Sequence, residues 1–468
     1  MKIIPYYAWT RSVVAFESSQ KRFSKQPWAQ GVILLTCVII AMLLANLPFT
    51  KEAYHNILET DLAISVVSPD GGGFTFPWGM TVEKFINDIL MALFFFTVGL
   101  EIKREVMFGE LSSPKKAVMP VIAAFGGVIM PAIIFTIVNH GTAAASGWGI
   151  PTATDIAFAV GILSILGNKV PISLKVFLTA LAIADDLIAI LVVALFYGGA
   201  INLKLLGIAL ILVCLILLMN KLGEKRKWFY LIPGIAVWIL FYYAGIHATM
   251  SGVVMAFLIP SKPRYSKEYY YHKRDYYRAK LEEYESIPSQ SSFPNGPQRH
   301  CLRQLSKTSK NCIGLSYRLE HALSPWVNFL IMPVFALANA GVEITDPSYF
   351  NIFHLTPGMG SVSLGIFLGL LLGKPLGITL ASFIAVKAKV GSMPEGATWK
   401  MLFAVACLGG IGFTMSIFVD TLSFADLAPE ITAQLRDMGK IAILLGSLCS
   451  GILGSILINI FHRSEQKA

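Results

Sequence analysis

Apolar runs of roughly twenty residues, separated by short polar connections, repeat along nearly the whole chain. Each such run has the length that a helix needs to cross the hydrocarbon core of a bilayer. Twelve segments are predicted, at 29–48, 82–107, 117–138, 151–166, 172–197, 203–220, 228–244, 247–260, 323–341, 363–386, 399–419 and 440–461. Segments four and eight are short. The pattern predicts an all-α integral membrane protein. It has a leader at 1–28, segments one to eight over 29–260, a loop at 261–320, segments nine to twelve over 321–462 and a tail at 463–468.

Two connections are long. Residues 49–80 alternate apolar and polar positions and predict a short β-hairpin with Gly71–Gly73 at its turn. Residues 261–320 contain "SKEYYYHKRDYYRAKLEEYE" and then "SIPSQSSFPNGPQRH", a disorder-prone composition. This basic, Tyr-rich loop is read either as an unstructured spacer or as a surface for anionic lipid.

Composition agrees with the membrane reading. The chain has 468 residues, 55% hydrophobic and 14% charged, against about 25% charged in a soluble domain. The net charge of +10 is local: +4 lies in residues 1–28 and +6 in residues 261–320. Both stretches flank membrane runs, so the charge points to topology and not to nucleic acid. Lys103, Arg104, Lys115, Lys116, Lys169, Lys221, Lys225, Arg226, Lys227, Lys387 and Lys389 fall in the same set of connections as the 261–320 loop. The alternate set holds Lys51 and Arg436 and little else. The rich set is therefore cytoplasmic, and twelve crossings place both termini inside. No signal peptide precedes the first run. The six cysteines match no zinc pattern, and neither a disulfide nor a structural metal is expected.

Charges inside the apolar runs are few: Asp88, Glu101, Asp155, Asp185, Asp186 and Lys374. Such residues are expensive in a membrane and face a cavity or a partner. Asp185 and Asp186 share one depth, cannot easily both ionise, and take up protons in coupled steps. Lys374, well within "LLGKPLGI", is the economical counter-charge. The group could hold protons, a small hard cation such as Na+ or Li+, or one in exchange for the other. Thr154 and backbone carbonyls could supply further oxygen ligands.

Two segments are interrupted. Segment four and its lead-in crowd Gly147, Gly149, Pro151, Thr152 and Thr154 before Asp155, and segment eleven carries Gly409, Gly410 and Gly412. Paired interruptions mark the site of a transporter built from inverted repeats. Segments ten to twelve would be the inverted counterpart of three to five. Broken helices present dipole ends at mid-membrane, where Asp155 suits the N-terminal ends and Lys374 the C-terminal ends.

The stretches "GLEIKRE" (99–105), "IPTATDIAFAVGIL" (150–163), "ALAIADDLIAI" (180–190), "GIHATMSGV" (245–253), "RLEHALSPWV" (318–327), "FALANAGV" (335–342), "GKPLGI" (373–378) and "GGIGFTMSIF" (409–418) resemble the NhaA family of bacterial Na+/H+ antiporters. The resemblance covers about 27–462, apart from the insertion at 261–317. That family is itself a known example of broken-helix transporters, so motifs and interruptions are not independent signals. The resemblance implies crossed, broken segments four and eleven. It implies exchange of cytoplasmic Na+ or Li+ for external protons, two per cation, across an inner membrane, with no cofactor. It makes Asp186 the main cation ligand and Asp185 the second carboxylate, paired with Lys374 when no cation is bound. Thr154 and Asp155 belong to the crossing, and Asp88 lines the outer approach. Glu101, Arg104, Glu105, Glu320 and His321 match a cytoplasmic cluster associated with pH regulation, and His247 a residue linked to the pH profile. A homodimer through the 49–80 hairpin is implied too. Ser324 departs from the family pattern, which has a second His there, and this bears on the pH threshold.

Other classes fit less well. A membrane prenyltransferase needs a further Asp at DDxxD spacing, and Leu187–Ile190 supply none. An intramembrane aspartyl protease needs a GxGD helix, which is missing. A cation channel or another proton-coupled transporter remains as an alternative, though a channel has no need of Lys374.

Overall fold

A computed structural model describes residues 27–67, 73–199, 201–285, 294–344, 352, 361–424 and 427–465. Among them, eight helices are long and apolar enough to cross a membrane. Two bent helix pairs and two shorter apolar helices, Trp228–Ala244 and Thr249–Leu258, occupy the other four predicted positions. The chain is a multi-pass membrane protein. Packing divides it into two units, one of residues 1–91, 105–199 and 328–468, the other of residues 92–104 and 200–327.

The first unit opens with α1 (Pro27–Asn46) and a short helix α2 (Lys51–Glu59), which the predicted hairpin loop did not include. Its Tyr54 is buried and donates to the Leu337 carbonyl at 2.7 Å. Burial pushes this phenol up to about 12, so it stays a donor. Strands β1 (Asp61–Val67) and β2 (Gly73–Thr81) then pair antiparallel, Asp61 opposite Thr81, with an irregularity at Leu62/Ala63. The predicted turn at Gly71 and Gly72 lies outside the described residues.

The next spans are α3 (Val82–Phe108), which begins in this unit and enters the second at Ala92, and α4 (Pro114–Val138). Segment four comes next as a 3-10 run, Ala143–Thr152, and helix α5 (Ile156–Leu166), bent by 40°. Its start at 143 corrects the expected 151. Gly147, Gly149 and Pro151 are poor α-formers, so hydropathy alone assigned the tighter half to the loop. Pro151 lies inside that run; the break itself is Ala153–Asp155. Helix α6 (Ile172–Phe196) is continuous.

In the second unit, α7 (Leu203–Lys221), α8 (Trp228–Ala244) and α9 (Thr249–Leu258) pack with part of α3 around Leu100, Tyr230, Phe241 and Ala256. A Cβ on Gly252 would overlap the Ala92 carbonyl oxygen, so α3 and α9 meet backbone to backbone. Of the two readings of the 261–320 loop, the unstructured spacer is corrected: it carries two packed helices, α10 (Lys267–Glu285) and α11 (Gly296–Asn311). Asn295 caps α11 in a capping box with Gln298, and Pro297 fills its first turn. Arg299, Arg303, Lys307 and Lys310 recur at spacings of four, four and three. They are all exposed and form one basic stripe. Cys301 and Thr308 are buried on the opposite face.

Helix α12 (Leu315–Asn339) starts eight residues before the expected 323, because its first turns carry Arg318, Glu320 and His321. Its C-terminal part belongs to the first unit. There α13 (Val362–Lys387), α14 (Trp399–Gly409), α15 (Phe413–Ser423) and α16 (Pro429–Glu465) complete the bundle. Helix α16 begins eleven residues before the expected 440 for the same reason, a polar opening "PEITAQLRDMG". Helices α4 and α13 cross with almost no side chain between them: a Cβ on Gly126 would overlap the Gly377 carbonyl oxygen, and the reverse holds too. Small residues at a crossing are how membrane helices gain contact without a hydrophobic drive.

Candidate functional site

Segment eleven breaks at Gly410–Gly412, between α14 and α15, with a bend of 49°. Gly409 is the last helical residue before that break. The two breaks cross. The Asp155 amide donates to the Ile411 carbonyl at 2.7 Å, and the Thr154 hydroxyl donates to the Gly409 carbonyl at 2.8 Å. A Cβ on Gly412 would come within 3.0 Å of the Ala153 carbonyl oxygen, so glycine is needed for the approach.

Among the described residues, three of the four half-helix ends at the crossing find a partner. Asp155 accepts from the Phe158 amide at 3.3 Å, capping α5. It also accepts from the Thr414 amide at 3.2 Å and from the Thr414 hydroxyl, capping α15. One buried carboxylate thus serves two positive helix ends. The Ser447 hydroxyl on α16 takes the Gly412 and Phe413 amides at 3.2 and 3.1 Å. At the negative end of α14, Thr154 stands between the carbonyl and a cation: the Lys374 ammonium donates to the Thr154 hydroxyl at 2.6 Å. Lys374 therefore reaches that end through the Thr154 hydroxyl.

The same ammonium donates to Asp185 Oδ2 at 2.5 Å, with both side chains fully buried. A π-helical turn, Gly369–Gly373, immediately precedes Lys374 on α13. One extra residue per turn at that point re-aims Lys374 and the side chains beyond it, a device frequent at functional sites. Asp185 Oδ1 accepts no hydrogen bond among the described residues. Asp186, the next residue of α6, is 3% exposed. Two carboxylates, an ammonium and a hydroxyl thus converge beside two unwound backbones, where proton and small-cation chemistry are both possible.

The family model described as Na+/H+ antiporter 1 matches residues 21–458. The chain belongs to that family. A Na+/H+ antiporter NhaA of Wolinella succinogenes is 42% identical over 439 residues, 93% of this chain and 92% of the relative. One of Sulfurimonas denitrificans is 39% identical over 98% of this chain and 99% of its own. One of Shigella dysenteriae is 38% identical over 92% and 96%. Among solved structures, the sodium proton antiporter MjNhaP1 of Methanocaldococcus jannaschii at pH 8 aligns with a TM-score of 0.50. At 13% identity, over 92% of this chain and 91% of that one, it is a likeness of fold alone.

The remaining residues singled out in this member of the antiporter family fall elsewhere. Asp88 is half-buried in the π-helical turn Ile86–Leu90 of the first unit. Glu105 also belongs to that unit, where its Oε2 accepts from the Glu110 amide at 3.2 Å. In the second unit, Arg104 pairs with Glu320, which is 4% exposed, and lies 3.9 Å from Glu101. Ser324, where the family pattern has a His, donates to the Glu320 carbonyl at 2.7 Å. His321 is exposed and packs its ring on Tyr317, centroids 4.1 Å apart. His247 lies in the turn before α9, half-buried.

Sequence reasoning missed Thr414, Ser447 and Asp420. Thr414 and Ser447 carry no charge, so nothing in the apolar pattern marks them. Asp420 is fully buried in α15. It fell one residue beyond the expected end of segment eleven at 419. The three unwound residues of the break lengthen the span and draw Asp420 inside it.

Proposed function

We propose that the chain is an electrogenic secondary transporter that exchanges cytoplasmic Na+ or Li+ for external protons, two per cation. The buried Lys374–Asp185 pair, beside Asp186 and at a crossing of two broken helices, carries this reading. In the cation-free form protonated Lys374 neutralises Asp185, and Asp186 carries a second proton. Na+ takes the Asp185 and Asp186 carboxylates and the Thr154 hydroxyl as oxygen ligands, while Asp186 and Lys374 each release one proton and Lys374 lets go of Asp185. Protons and Na+ then compete for one seat. Only loaded forms reorient, since a bare pair of charges is costly to move, and reorientation moves one bundle as a rigid body around the site. Two protons in for one Na+ out moves one charge inward, so ~100 mV supplies roughly 2.3 kcal/mol per cycle.

The charge asymmetry of the connections supports an inner membrane with both termini cytoplasmic. The exposed stripe on α11 supports anionic headgroups as its neighbour, and the β1–β2 hairpin is the candidate dimer contact. The decisive experiment is dequenching of a pH dye in everted vesicles on adding Na+, Li+ or K+, with Asp186→Asn alongside. Na+-dependent proton movement that the substitution abolishes is the expected result. No response from well-inserted native protein at any pH would sink the reading. Repeating it in vesicles lacking anionic lipid tests the stripe.

The Arg104–Glu320 pair is the candidate pH device. Ionised Glu320 is the form that Arg104 holds. Arg104→Gln leaves a buried carboxyl without its ion-pair partner and is expected to change the pH profile of exchange. An unmoved profile at normal rate would remove the pair from pH control.

A further inference from the structure

Asp420 has no part in the exchange mechanism above, yet it is buried as deeply as Asp185, at 0% exposure. Neither of its oxygens has a hydrogen-bond partner among the described residues. The backbone of α16 makes room for it: a Cβ on Gly439 would overlap Oδ1 and stand 3.1 Å from Cγ. The charged groups around it all come from α16, with Lys440 and Arg436 attracting and Asp437 repelling. Arg436 is already committed, since its guanidinium donates to the Thr421 carbonyl near the end of α15. From the end of α6 comes Tyr197, whose hydroxyl also interacts with Ser423. That hydroxyl donates to the Ser146 carbonyl at 2.9 Å and accepts from the Gly149 amide at 3.0 Å, both in the first half of segment four.

A carboxylate buried without a hydrogen bond is among the costliest states a side chain can take, and such groups neutralise instead. A cation would need several further oxygens, and the Gly439 face against Oδ1 supplies none. A proton needs only the carboxyl itself. Asp420 lies seven residues from Phe413, so about 10 Å along α15 from the break. In the proposed topology this is the outer half of segment eleven, on the side from which protons enter.

We propose that Asp420 holds an exchangeable proton and serves as an outer station from which protons reach the carboxylate pair. The station rests on the exchange reading; the protonation does not. Infrared spectra of the purified full chain should show a protonated-carboxyl carbonyl band that shifts in D2O and is lost in Asp420→Asn. In vesicles the same variant should slow Na+-driven proton movement about tenfold at alkaline pH, with the half-saturating Na+ concentration unchanged. Asp420→Leu, which keeps the site apolar, provides the same comparison if the amide variant folds poorly. A spectrum that the substitution leaves unchanged overturns the protonation. A lost band with unchanged transport overturns the station. Absence of exchange in the native chain would count against the antiporter reading, while the infrared band would still be decided.

Discussion

Replacing Lys374 by alanine is expected to lower the stability of the solubilised protein by roughly 3–5 kcal/mol, the usual result of breaking one side of a buried ion pair. The ammonium and Asp185 Oδ2 are 2.5 Å apart and both side chains are fully buried. Removing the cation leaves a carboxylate with no solvent to receive it. It also strands the Thr154 hydroxyl, which then holds the Gly409 carbonyl without a charge behind it. Lys374→Ala combined with Asp185→Asn should recover most of the loss, because the second change removes the stranded charge. Denaturation of the four proteins gives the coupling directly. Na+ adds a control: a ligand that binds only the folded form stabilises by mass action. The stabilisation should be present in the native chain and absent in Asp186→Asn. A loss below about 1 kcal/mol in the single variant, with no coupling, would mean that the pair does not neutralise Asp185 in solution.

Legibility in the sequence depends on where charge meets apolar context. Asp185, Asp186 and Lys374 stand out because nothing around them is polar, and their convergence needs no more than the rule that buried charges find partners. The segment-eleven break was visible because three glycines interrupt a helix interior. The segment-four break was set too early, since Pro151 is tolerated in a 3-10 run that a hydropathy window cannot tell from a loop. The spacer reading of the loop at 261–320 failed for another reason. Its "PNGPQ" combines residues common in disorder, yet Asn295, Pro297 and Gln298 are an N-cap, a first-turn proline and the matching third position. Local capping chemistry outweighed composition there. Asp420 was hidden by a boundary: an uninterrupted helix of that length would have ended before it.

Asp155→Ala is expected to abolish exchange, more than 100-fold in rate, while the crossing itself survives. Two backbone-level contacts do not involve the Asp155 side chain, the Asp155 amide on Ile411 and the Thr154 hydroxyl on Gly409. They keep the two breaks together. What disappears is the negative charge shared by the first turns of α5 and α15. Hydrogen bonds to charged groups contribute about 1.5–3 kcal/mol each, and the Thr414 amide is buried and the Phe158 amide partly so, so their loss adds desolvation. The half-helices would then be held at their carbonyl ends only, with the positive ends repelling the incoming cation and each other. Thr414→Val separates the parts: it removes the hydroxyl bond but leaves both amide caps, and should reduce the rate only several-fold. Asp155→Asn keeps acceptors without the charge and should fall between. If alanine and asparagine slow exchange equally, charge is what matters at the crossing. If asparagine matches the native chain, capping alone explains Asp155, and the electrostatic role assigned to it is wrong.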